Sequence, residues 1–411
     1  MSKTEAAALR ANIGKICWLN FAWTFLLVQA VIVPYFQKNG LTMAQVFLVQ
    51  TMFSLTLCLL DVPMGYISDL LGRKTTLLAA CAFKGLGGAA LACSRTLSGF
   101  AAAYVLIGVA NSLYSGTDTA LMYESCEALP GERAATNIFG RRVYFAQTGM
   151  MAAAIIGGML AQKSLELTVI LNAVFAWAPL LICLTLRDAP RRSLDRSSHR
   201  ANAKRVLREL FSRSRRLRLV IGAAVLYGAA PVLALFAFQG YWRSRNMPLA
   251  AFGAIAAVYS LTGALSGLWA QRVQKRLGRR GVYLAIGVLP VAGFLGAGLA
   301  PVAAGAVFGL CLELGRGLTQ ALLGEALNDG MSSDIRATAN SVVSFGSRLA
   351  VAALGPCFGA IADARGFSWA FSGMALIFAL VFLVSGLPLA LEGDGEQVRE
   401  PRLAAARETV S

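Results

Sequence analysis

The sequence predicts an all-α membrane protein made of two six-helix bundles, arranged as a parallel repeat about a pseudo-twofold axis. Hydrophobic residues make up 57% of the 411 residues and charged residues 14%, whereas soluble domains carry roughly 45–50% and about 25%. Apolar stretches long enough to cross about 30 Å of hydrocarbon recur along the chain. Short motifs of the first half also reappear in the second half. Together these features exclude a water-soluble globular fold.

Twelve apolar segments are long enough to cross the bilayer as α-helices, and we number them span 1 to span 12 in chain order. A helix satisfies its own backbone hydrogen bonds, as a segment inside lipid must. The predicted spans cover residues 14–36, 43–69, 75–94, 98–125, 140–162, 166–186, 218–240, 248–271, 281–300, 302–327, 340–361 and 368–391.

The distribution of basic residues predicts the orientation. Lys and Arg number 38 against 21 Asp and Glu, a formal charge of +17, which in a soluble protein would favour nucleic-acid binding. Here most basic residues lie in the loops on the side of the two termini, and such an excess marks the cytoplasmic face. The opposite side holds only Lys38, Arg95, Lys163, Arg243, Arg245 and Arg365. We therefore predict a multi-pass inner-membrane protein with both termini in the cytoplasm and no nucleic-acid partner.

The chain divides into four predicted regions. They are an N-terminal six-helix bundle (1–187), a basic cytoplasmic linker (188–217), a C-terminal six-helix bundle (218–392) and a cytoplasmic tail (393–411). Basic and apolar residues alternate over 202–219, a pattern typical of a helix lying on anionic lipid. A solvated connector that follows the positive-inside rule is the alternative.

Three short motifs recur in the same order in both halves. The pairs are Leu71-Gly-Arg-Lys74 with Leu277-Gly-Arg-Arg280, Gly116-x-x-x-Ala-Leu-x-x-Glu124 with Gly317-x-x-x-Ala-Leu-x-x-Glu325, and Arg133-Ala-Ala-Thr-Asn137 with Arg336-Ala-Thr-Ala-Asn340. Their offsets are 206, 201 and 203 residues, close to half the chain. Parallel repeats of this kind are typical of secondary transporters with a substrate site near the midplane.

Residue usage argues against an enzyme. The eight cysteines lie in or at the ends of spans without a Cys-x-x-Cys pair, so we expect neither disulfides nor a metal site. The single histidine, His199, lies in the linker. There is no Gly-x-x-x-x-Gly-Lys-Ser/Thr loop, so ATP is not the expected energy source. We predict no catalytic residues, no bound metal and no cofactor.

The most informative motif runs from Asp61 to Lys74 and reads DVPMGYISDLLGRK. Gly65 permits close helix approach, Asp69 places a carboxylate at the mouth of the bundle, and Gly72 turns the chain. The run resembles the signature between spans 2 and 3 of the major facilitator superfamily, Gly-x-x-x-Asp-x-x-Gly-Arg-Arg/Lys. With the twelve spans and the repeat, the resemblance covers about residues 12–392.

The resemblance implies a gating role for this motif. Asp69 and Arg73 would latch the cytoplasmic gate in the outward-open state, with the start of span 11 as their partner. The gating residues on this reading are Gly65, Asp69, Gly72, Arg73 and Lys74. The second copy lacks an acidic residue before Gly278, so the latch is expected to be asymmetric. Helix packing alone remains the alternative for the two glycines.

Two further patterns resemble a subgroup of the family, the proton-coupled exporters of drugs, siderophores and other metabolites. They are Asp61-x-Pro-x-Gly65 in span 2 and Asp118-Thr-Ala-Leu-Met-Tyr-Glu-Ser125 in span 4. Two departures exist. Span 4 lacks the arginine of many drug/proton antiporters, and span 5 carries Ala153-Ala-Ile-Ile-Gly-Gly158 where those proteins have Gly-Pro-x-x-Gly-Gly. A Gly355-Pro-x-x-Gly359 run lies in span 11 instead.

Charged side chains inside spans each need a physical reason, because one at the bilayer centre costs roughly 2.5–3.5 kcal/mol. Asp61 and Lys84 fall at similar depth on neighbouring spans, so they form either a proton site with its charge partner or a structural ion pair. Asp118 either binds a proton or holds helices together, while Glu124 is close enough to the interface to be solvated. The proton-coupling candidates are Asp61, Asp118 and Lys84.

The candidates for substrate contact are polar residues within spans. Glu313 and Arg316 lie three residues apart and can face each other on one helix, where they bind substrate or merely neutralise each other. The resemblance implies that spans 1, 4, 7 and 10 line the cavity, although helix–helix hydrogen bonds explain lone amides equally well. The further candidates there are Asn20, Gln29, Asn111, Tyr114, Gln239 and Gln320.

These features predict a secondary active transporter that works by alternating access. We expect proton-coupled export, as an antiporter, of a small organic molecule such as a drug-like compound, a siderophore or another metabolite. A proton-coupled importer of the same fold is one alternative, and a passive channel or a non-transporting membrane sensor is another. The expected partners are the small-molecule substrate, protons and the lipid bilayer, with the protein as a monomer.

Overall fold

A computed structural model describes residues 3–129, 135–189, 215–328 and 333–392. Ten helices within these ranges are long and apolar enough to cross a membrane. One of them, Leu249–Leu299, contains two spans joined at the non-helical Gly278. Predicted span 1 is formed by the helices Lys3–Thr24 and Ile32–Lys38, which are not among these ten. The predicted all-α membrane fold is confirmed.

The helices follow the predicted spans closely. In chain order they are Lys3–Thr24 and Ile32–Lys38 (span 1), Met43–Leu71 (2), Arg73–Cys93 (3), Leu97–Tyr114 and Thr117–Glu127 (4), Ala135–Lys163 (5), Leu165–Phe175 and Ala178–Leu184 (6), Arg215–Ser244 (7), Leu249–Leu299 (8 and 9), Val302–Leu318, π-helical Thr319–Leu323 and Gly324–Asn328 (10), Ser333–Arg365 (11), and Phe367–Val381, π-helical Phe382–Gly386 and Leu387–Glu392 (12).

We call the side on which span 1 begins the proximal side and the other the distal side. The proximal turns after spans 2 and 8 are made by repeat-related glycines, Gly72 with φ 110° and Gly278 with φ 69°. A side chain at either position would be strained, because positive φ disfavours residues that carry a Cβ atom. The shared Leu-Gly-Arg motif therefore marks the same backbone turn in both halves.

The chain folds into two compact units. The first comprises Met1–Asp195, Phe236–Ser260 and Ala352–Asp363, and the second comprises Arg196–Leu235, Leu261–Val351 and Ala364–Ser411. The first unit thus holds spans 1–6 and the distal segments of spans 7, 8 and 11. The four regions predicted from the sequence follow chain order and stay predictions. Most of the predicted linker, with His199, and the whole predicted tail lie outside the described residues.

Several spans are interrupted, including three that were expected to line the cavity. Span 1 has no helix over residues 25–31, span 4 breaks at Ser115–Gly116, and span 10 is π-helical over Thr319–Leu323. Spans 6 and 12 are also irregular, at Ala176–Trp177 and Phe382–Gly386. Interrupted helices and π-helical turns are frequent at the functional sites of transporters and other proteins.

The second repeated motif coincides with two of these interruptions. Gly116 adopts a left-handed conformation with φ 78° and starts the second half of span 4, whereas its counterpart Gly317 lies two residues before the π-helical turn of span 10. A Cβ atom at Gly317 would overlap the side chain of Ser266 and the backbone of Gly263 in span 8. One sequence pattern therefore marks a helix irregularity at equivalent positions of both halves.

Candidate functional site

The first unit contains a buried polar cluster around Asp118, which is 1% exposed. Its Oδ2 accepts a hydrogen bond from Arg142 Nε at 2.7 Å and another from Asn20 Nδ2 at 3.1 Å. Thr119 Oγ1 donates to Oδ1 at 3.2 Å. The cluster thereby joins spans 1, 4 and 5. A charge this deeply buried needs such partners, because an unpaired one is strongly destabilising.

The break in span 4 positions this carboxylate. Gly116 is the N-cap of the helix Thr117–Glu127, and Asp118 lies in its first turn. The N-terminal end of a helix carries a partial positive charge that stabilises an anion nearby. The Asp118 carboxylate thus lies between this helix terminus and the Arg142 guanidinium.

Sequence reasoning missed Arg142. It lies two residues inside predicted span 5 beside Arg141, a position typical of basic residues at the interface. In the structure it is instead the ion-pair partner of Asp118. One signal in the sequence could have revealed it. Span 4 carries a carboxylate, Asp118, but no basic residue, so its partner cation has to come from a neighbouring span.

Lys84 pairs with Trp23 and not with Asp61. Its ammonium donates to the Trp23 carbonyl and lies 4.4 Å from the centroid of the Trp23 ring. That carbonyl belongs to the last turn of the helix Lys3–Thr24, so Lys84 caps the first half of span 1. The pairing with Asp61 expected from their similar depth is absent from the contacts of Lys84 with the described residues. The roles of Asp61 and Lys84 in proton coupling stay predictions.

Tyr114 and Asn111 have different surroundings within span 4. Tyr114 stacks on Trp23 with ring centroids 3.8 Å apart, and its buried hydroxyl interacts with the Asp118 carboxylate without a hydrogen bond of regular geometry. Asn111 donates to the carbonyl of Ile107 one turn earlier in its own helix. Tyr114 therefore places its hydroxyl beside Asp118, whereas the Asn111 amide donates within its own helix.

Gln239 bonds to the broken segment of span 1. It is 1% exposed; its Nε2 donates to the Gln29 carbonyl at 2.9 Å, and its Oε1 accepts from the Val33 amide at 3.1 Å. Asn172 of span 6 accepts from the Val28 amide at 3.4 Å. These side chains replace backbone bonds lost at the break, as buried polar groups require. The substrate contacts predicted for Gln239 and Gln29 stay predictions. In the structure, both residues take part in the contact between span 7 and the non-helical segment of span 1.

Arg73 is the centre of the proximal motif loop. Its guanidinium pairs with Asp69 at 2.7 Å and with Glu124 of span 4 at 3.0 Å, and donates to Ser68 Oγ at 2.9 Å. Glu124 is therefore ion-paired with Arg73. Lys74 binds the end of span 6 through the Leu184 carbonyl at 3.0 Å. The loop thus ties together the proximal ends of spans 2, 4 and 6.

The close helix approach expected at Gly65 is not found in this structure. A Cβ atom built at Gly65 meets no described atom within 4 Å, because this face of span 2 is exposed there. Its place in the gate stays a prediction.

In the second unit, Glu313 and Arg316 of span 10 form an ion pair at 2.6 Å. Both side chains are largely buried, at 15% and 21% exposure, and they pack against Gly263 of span 8, where a Cβ atom would overlap the guanidinium. Gln320 continues the same helix face and lines a pocket of about 460 Å³. The remaining lining residues are Ala321, Gly324, Glu325, Asn328 and Asn340. Span 10 thus carries a polar face from its middle to its proximal end.

Metal-binding chemistry has no counterpart in the described ranges. They contain no group of three or more His, Cys, Asp and Glu side chains placed to hold a metal ion. The polar side chains around Asp118 and along span 10 are amides, carboxylates and guanidinium groups, which suit hydrogen bonding and ion pairing.

Residues 18–241 match the family model described as Major Facilitator Superfamily. No curated protein matches the chain by sequence. Among solved structures, a mutant of the nucleoside transporter NupG aligns with a TM-score of 0.76 and 14% identity, over 93% of this chain and 98% of that one. A POT family transporter in complex with 5-aminolevulinic acid aligns at 0.69 and 13%, over 92% and 94%. A D-xylose-proton symporter aligns at 0.64 and 15%, over 95% and 99%.

Proposed function

Because the chain belongs to the major facilitator superfamily, we propose that it is a secondary active transporter that exports a small organic molecule in exchange for protons. The structures it resembles include a nucleoside transporter, a POT family transporter and a proton symporter for a sugar. The proximal side, where the basic residues gather, is the cytoplasmic side in this proposal.

The observation that carries the proposal is the Asp118–Arg142 ion pair, buried beside the break in span 4. When Asp118 is ionised, it holds Arg142 and Asn20. When Asp118 binds a proton, the charge attraction to Arg142 is lost and the hydrogen bond from Asn20 becomes weaker. Binding of one proton thus changes how spans 1, 4 and 5 are held together. Proton-driven transport needs such a link between proton binding and conformation.

The charge of the substrate decides the direction of coupling at such a site. A substrate with a cationic or hydrogen-bond-donating group binds ionised Asp118 and competes with the proton, which gives exchange. An anionic substrate would instead pair with Arg142 after Asp118 has been protonated, which gives cotransport and import. We therefore propose a substrate that carries a basic or donor group.

Asp118 is a better proton site than Asp61 on the contacts described above. It is almost fully buried and has a dedicated guanidinium partner, whereas the Asp61 residue is only partly buried in span 2, although its Oδ1 atom is buried. Lys84, the expected charge partner of Asp61, is held by Trp23. Asp61→Asn is accordingly expected to retain proton-driven transport.

Everted membrane vesicles provide the test. Respiration acidifies their interior, and a pH-sensitive acridine dye reports the release of protons when a substrate is taken up. In a panel of organic cations, amines and organic anions, we expect at least one basic compound to release protons with the native protein. Asp118→Asn should abolish this response, whereas Glu166→Gln, which removes an exposed distal carboxylate paired with Lys38, should keep it.

A purely structural ion pair predicts a different pattern. Asp118→Asn would then fail because it leaves the partly buried Arg142 cation without its carboxylate partner, which destabilises the protein. The double variant Asp118→Asn/Arg142→Gln would restore uphill transport. Full activity of that double variant contradicts a proton-coupling role for Asp118, and responses to anions alone would favour the importer.

A further inference from the structure

Spans 5 and 11 end on the distal side with the same short motif. Span 5 carries Gly158-Met-Leu-Ala-Gln162, and span 11 carries Gly359-Ala-Ile-Ala-Asp363. The two copies are 201 residues apart, the offset that also separates the glycines of spans 4 and 10. In each copy the glycine lies one helical turn before a polar residue. The glycine and the polar residue of one copy therefore face the same neighbouring helix.

In span 11, the polar residue of the motif caps the start of span 2. Asp363 Oδ1 accepts from the Met43 amide at 2.9 Å, and Oδ2 accepts from the Ala44 amide at 2.8 Å. Thr42 and Gln45 form a capping box that uses the other two free amides of the first turn. All four amides that a helix leaves without a partner are thereby bonded, two of them by Asp363.

In span 5, the equivalent residue reaches the start of span 8 in the same way. Gln162 Oε1 accepts from the Ala250 amide at 3.2 Å. Ala250 is 206 residues after Ala44, the offset found for the turns after spans 2 and 8. The two caps are therefore related by the internal repeat, but one is an anionic bidentate cap and the other is a neutral single bond.

The glycines of the motif make both caps reachable. A Cβ atom at Gly359 would lie 2.5 Å from Ala44 Cα and 2.6 Å from the Met43 carbonyl carbon. One at Gly158 would lie 2.9 Å from Gly253 Cα in the first turns of span 8. Only glycine lets the helix backbones approach this closely, which brings the capping side chains within hydrogen-bond distance.

We propose that these two caps are the distal latches of the transport cycle, formed while the distal side is closed and released when it opens. This inference rests on the proposed function, because alternating access requires spans 2 and 8 to separate from spans 11 and 5. Asp363 and Gln162 are both exposed, so water can replace them at each opening. The latch holds only modestly and does not trap the closed state.

The charge of Asp363 makes the latch between spans 2 and 11 the stronger of the two. An anion at a helix N-terminus is stabilised by the helix dipole in addition to its hydrogen bonds. Span 2 itself carries Asp69 near its proximal end, and the family resemblance pairs that residue with the start of span 11. The same two spans would then hold each other by a carboxylate at either end, one for each closed state.

Thiol accessibility tests the inference without substrate. In a variant without native cysteines, Thr51→Cys places a reporter two turns below Ala44, where Thr51 is buried and donates to the Ala352 carbonyl. A membrane-impermeant maleimide added from the distal side labels this thiol only when that side opens. We expect Asp363→Asn to raise the labelling rate about fivefold, since a helix-terminus charge contributes on the order of 1 kcal/mol.

Span 5 supplies the matched variants. Gln162→Ala should raise labelling less than Asp363→Asn, because it removes one neutral bond. Gln162→Glu should lower labelling, since it adds a carboxylate to the terminus of span 8, and Asp363→Asn/Gln162→Glu should return it towards the native rate. Unchanged labelling in all three single variants would overturn the inference. Because the readout needs no transport, a failed search for a substrate leaves this result interpretable.

Discussion

Several glycines at the distal ends of spans are tightly packed against a neighbouring backbone, whereas several glycines nearer the proximal ends have free space around them. At the distal ends, a Cβ atom would overlap backbone at Gly157, Gly158, Gly253 and Gly359. Towards the proximal ends, a Cβ atom meets nothing within 4 Å at Gly14, Gly65, Gly140, Gly222 and Gly324. The same residue type therefore marks close backbone packing at these distal positions and open space at these proximal ones. A glycine in a span shows that close approach is possible, and the conformation decides whether it occurs.

Matched valine substitutions test this contrast most directly. Gly359→Val pushes a side chain into the backbone of span 2, so we expect a loss of about 1–3 kcal/mol or more of stability. At Gly65 the valine side chain would meet no described atom, so Gly65→Val should change the free energy of unfolding by no more than about 0.5 kcal/mol. Thermal unfolding of the purified proteins in detergent measures both. Equal shifts in the melting temperature would show that the two ends do not differ in packing.

A smaller loss of stability is expected at Gln239, where side-chain hydrogen bonds and not close backbone packing hold two spans together. Gln239→Ala removes two bonds to the broken segment of span 1, at about 0.6–1.7 kcal/mol each in a membrane protein. Backbone hydrogen exchange over residues 25–33 should become faster. Asn111→Ala is the control, because its amide donates only to its own helix. If Gln239 served substrate binding alone, exchange over residues 25–33 would not change.

The proximal end is expected to respond least in stability. Asp69→Asn breaks a partly exposed pair with Arg73, worth about 0.2–1 kcal/mol, while Arg73 keeps Glu124 as a partner. The melting temperature should stay near that of the native protein. Transport should fall by up to about fivefold if the pair biases the gate. Asp69→Glu, which restores the charge, should recover transport, and near-native transport by Asp69→Asn would exclude a gating role.

The sequence alone predicted those features that depend on local patterns. Hydrophobic stretches located the spans, and repeated motifs located equivalent turns, because Gly72 and Gly278 both adopt a positive φ. The motif around Gly116 and Gly317 was recognised as a repeat, but its meaning as a helix irregularity was not. A repeat shows where two halves are alike, and the structure shows which backbone geometry they share.

Contacts between distant segments could not be read from one sequence. Asp363 bonds to residues 319 and 320 positions earlier, and the Asp118–Arg142 pair joins two spans of the first unit. Asp61 and Lys84 illustrate the limit, since equal depth does not decide which way a side chain points. The Gly-x-x-Ala-Gln/Asp motif was within reach, because its offset of 201 residues equals one already found in the chain.

The break in span 1 has a consequence for biosynthesis. Gln239 is made 206 residues after Val33 and 210 residues after Gln29. At 5–20 residues per second, the ribosome needs about 10–40 s to cover that distance. During this time the backbone of residues 25–31 cannot remain unbonded in lipid. We therefore expect span 1 to insert as a continuous helix and to break only when spans 6 and 7 have been made, because Asn172 and Gln239 supply the side-chain bonds to this segment. The final shape of the first span thus depends on spans that are synthesised much later.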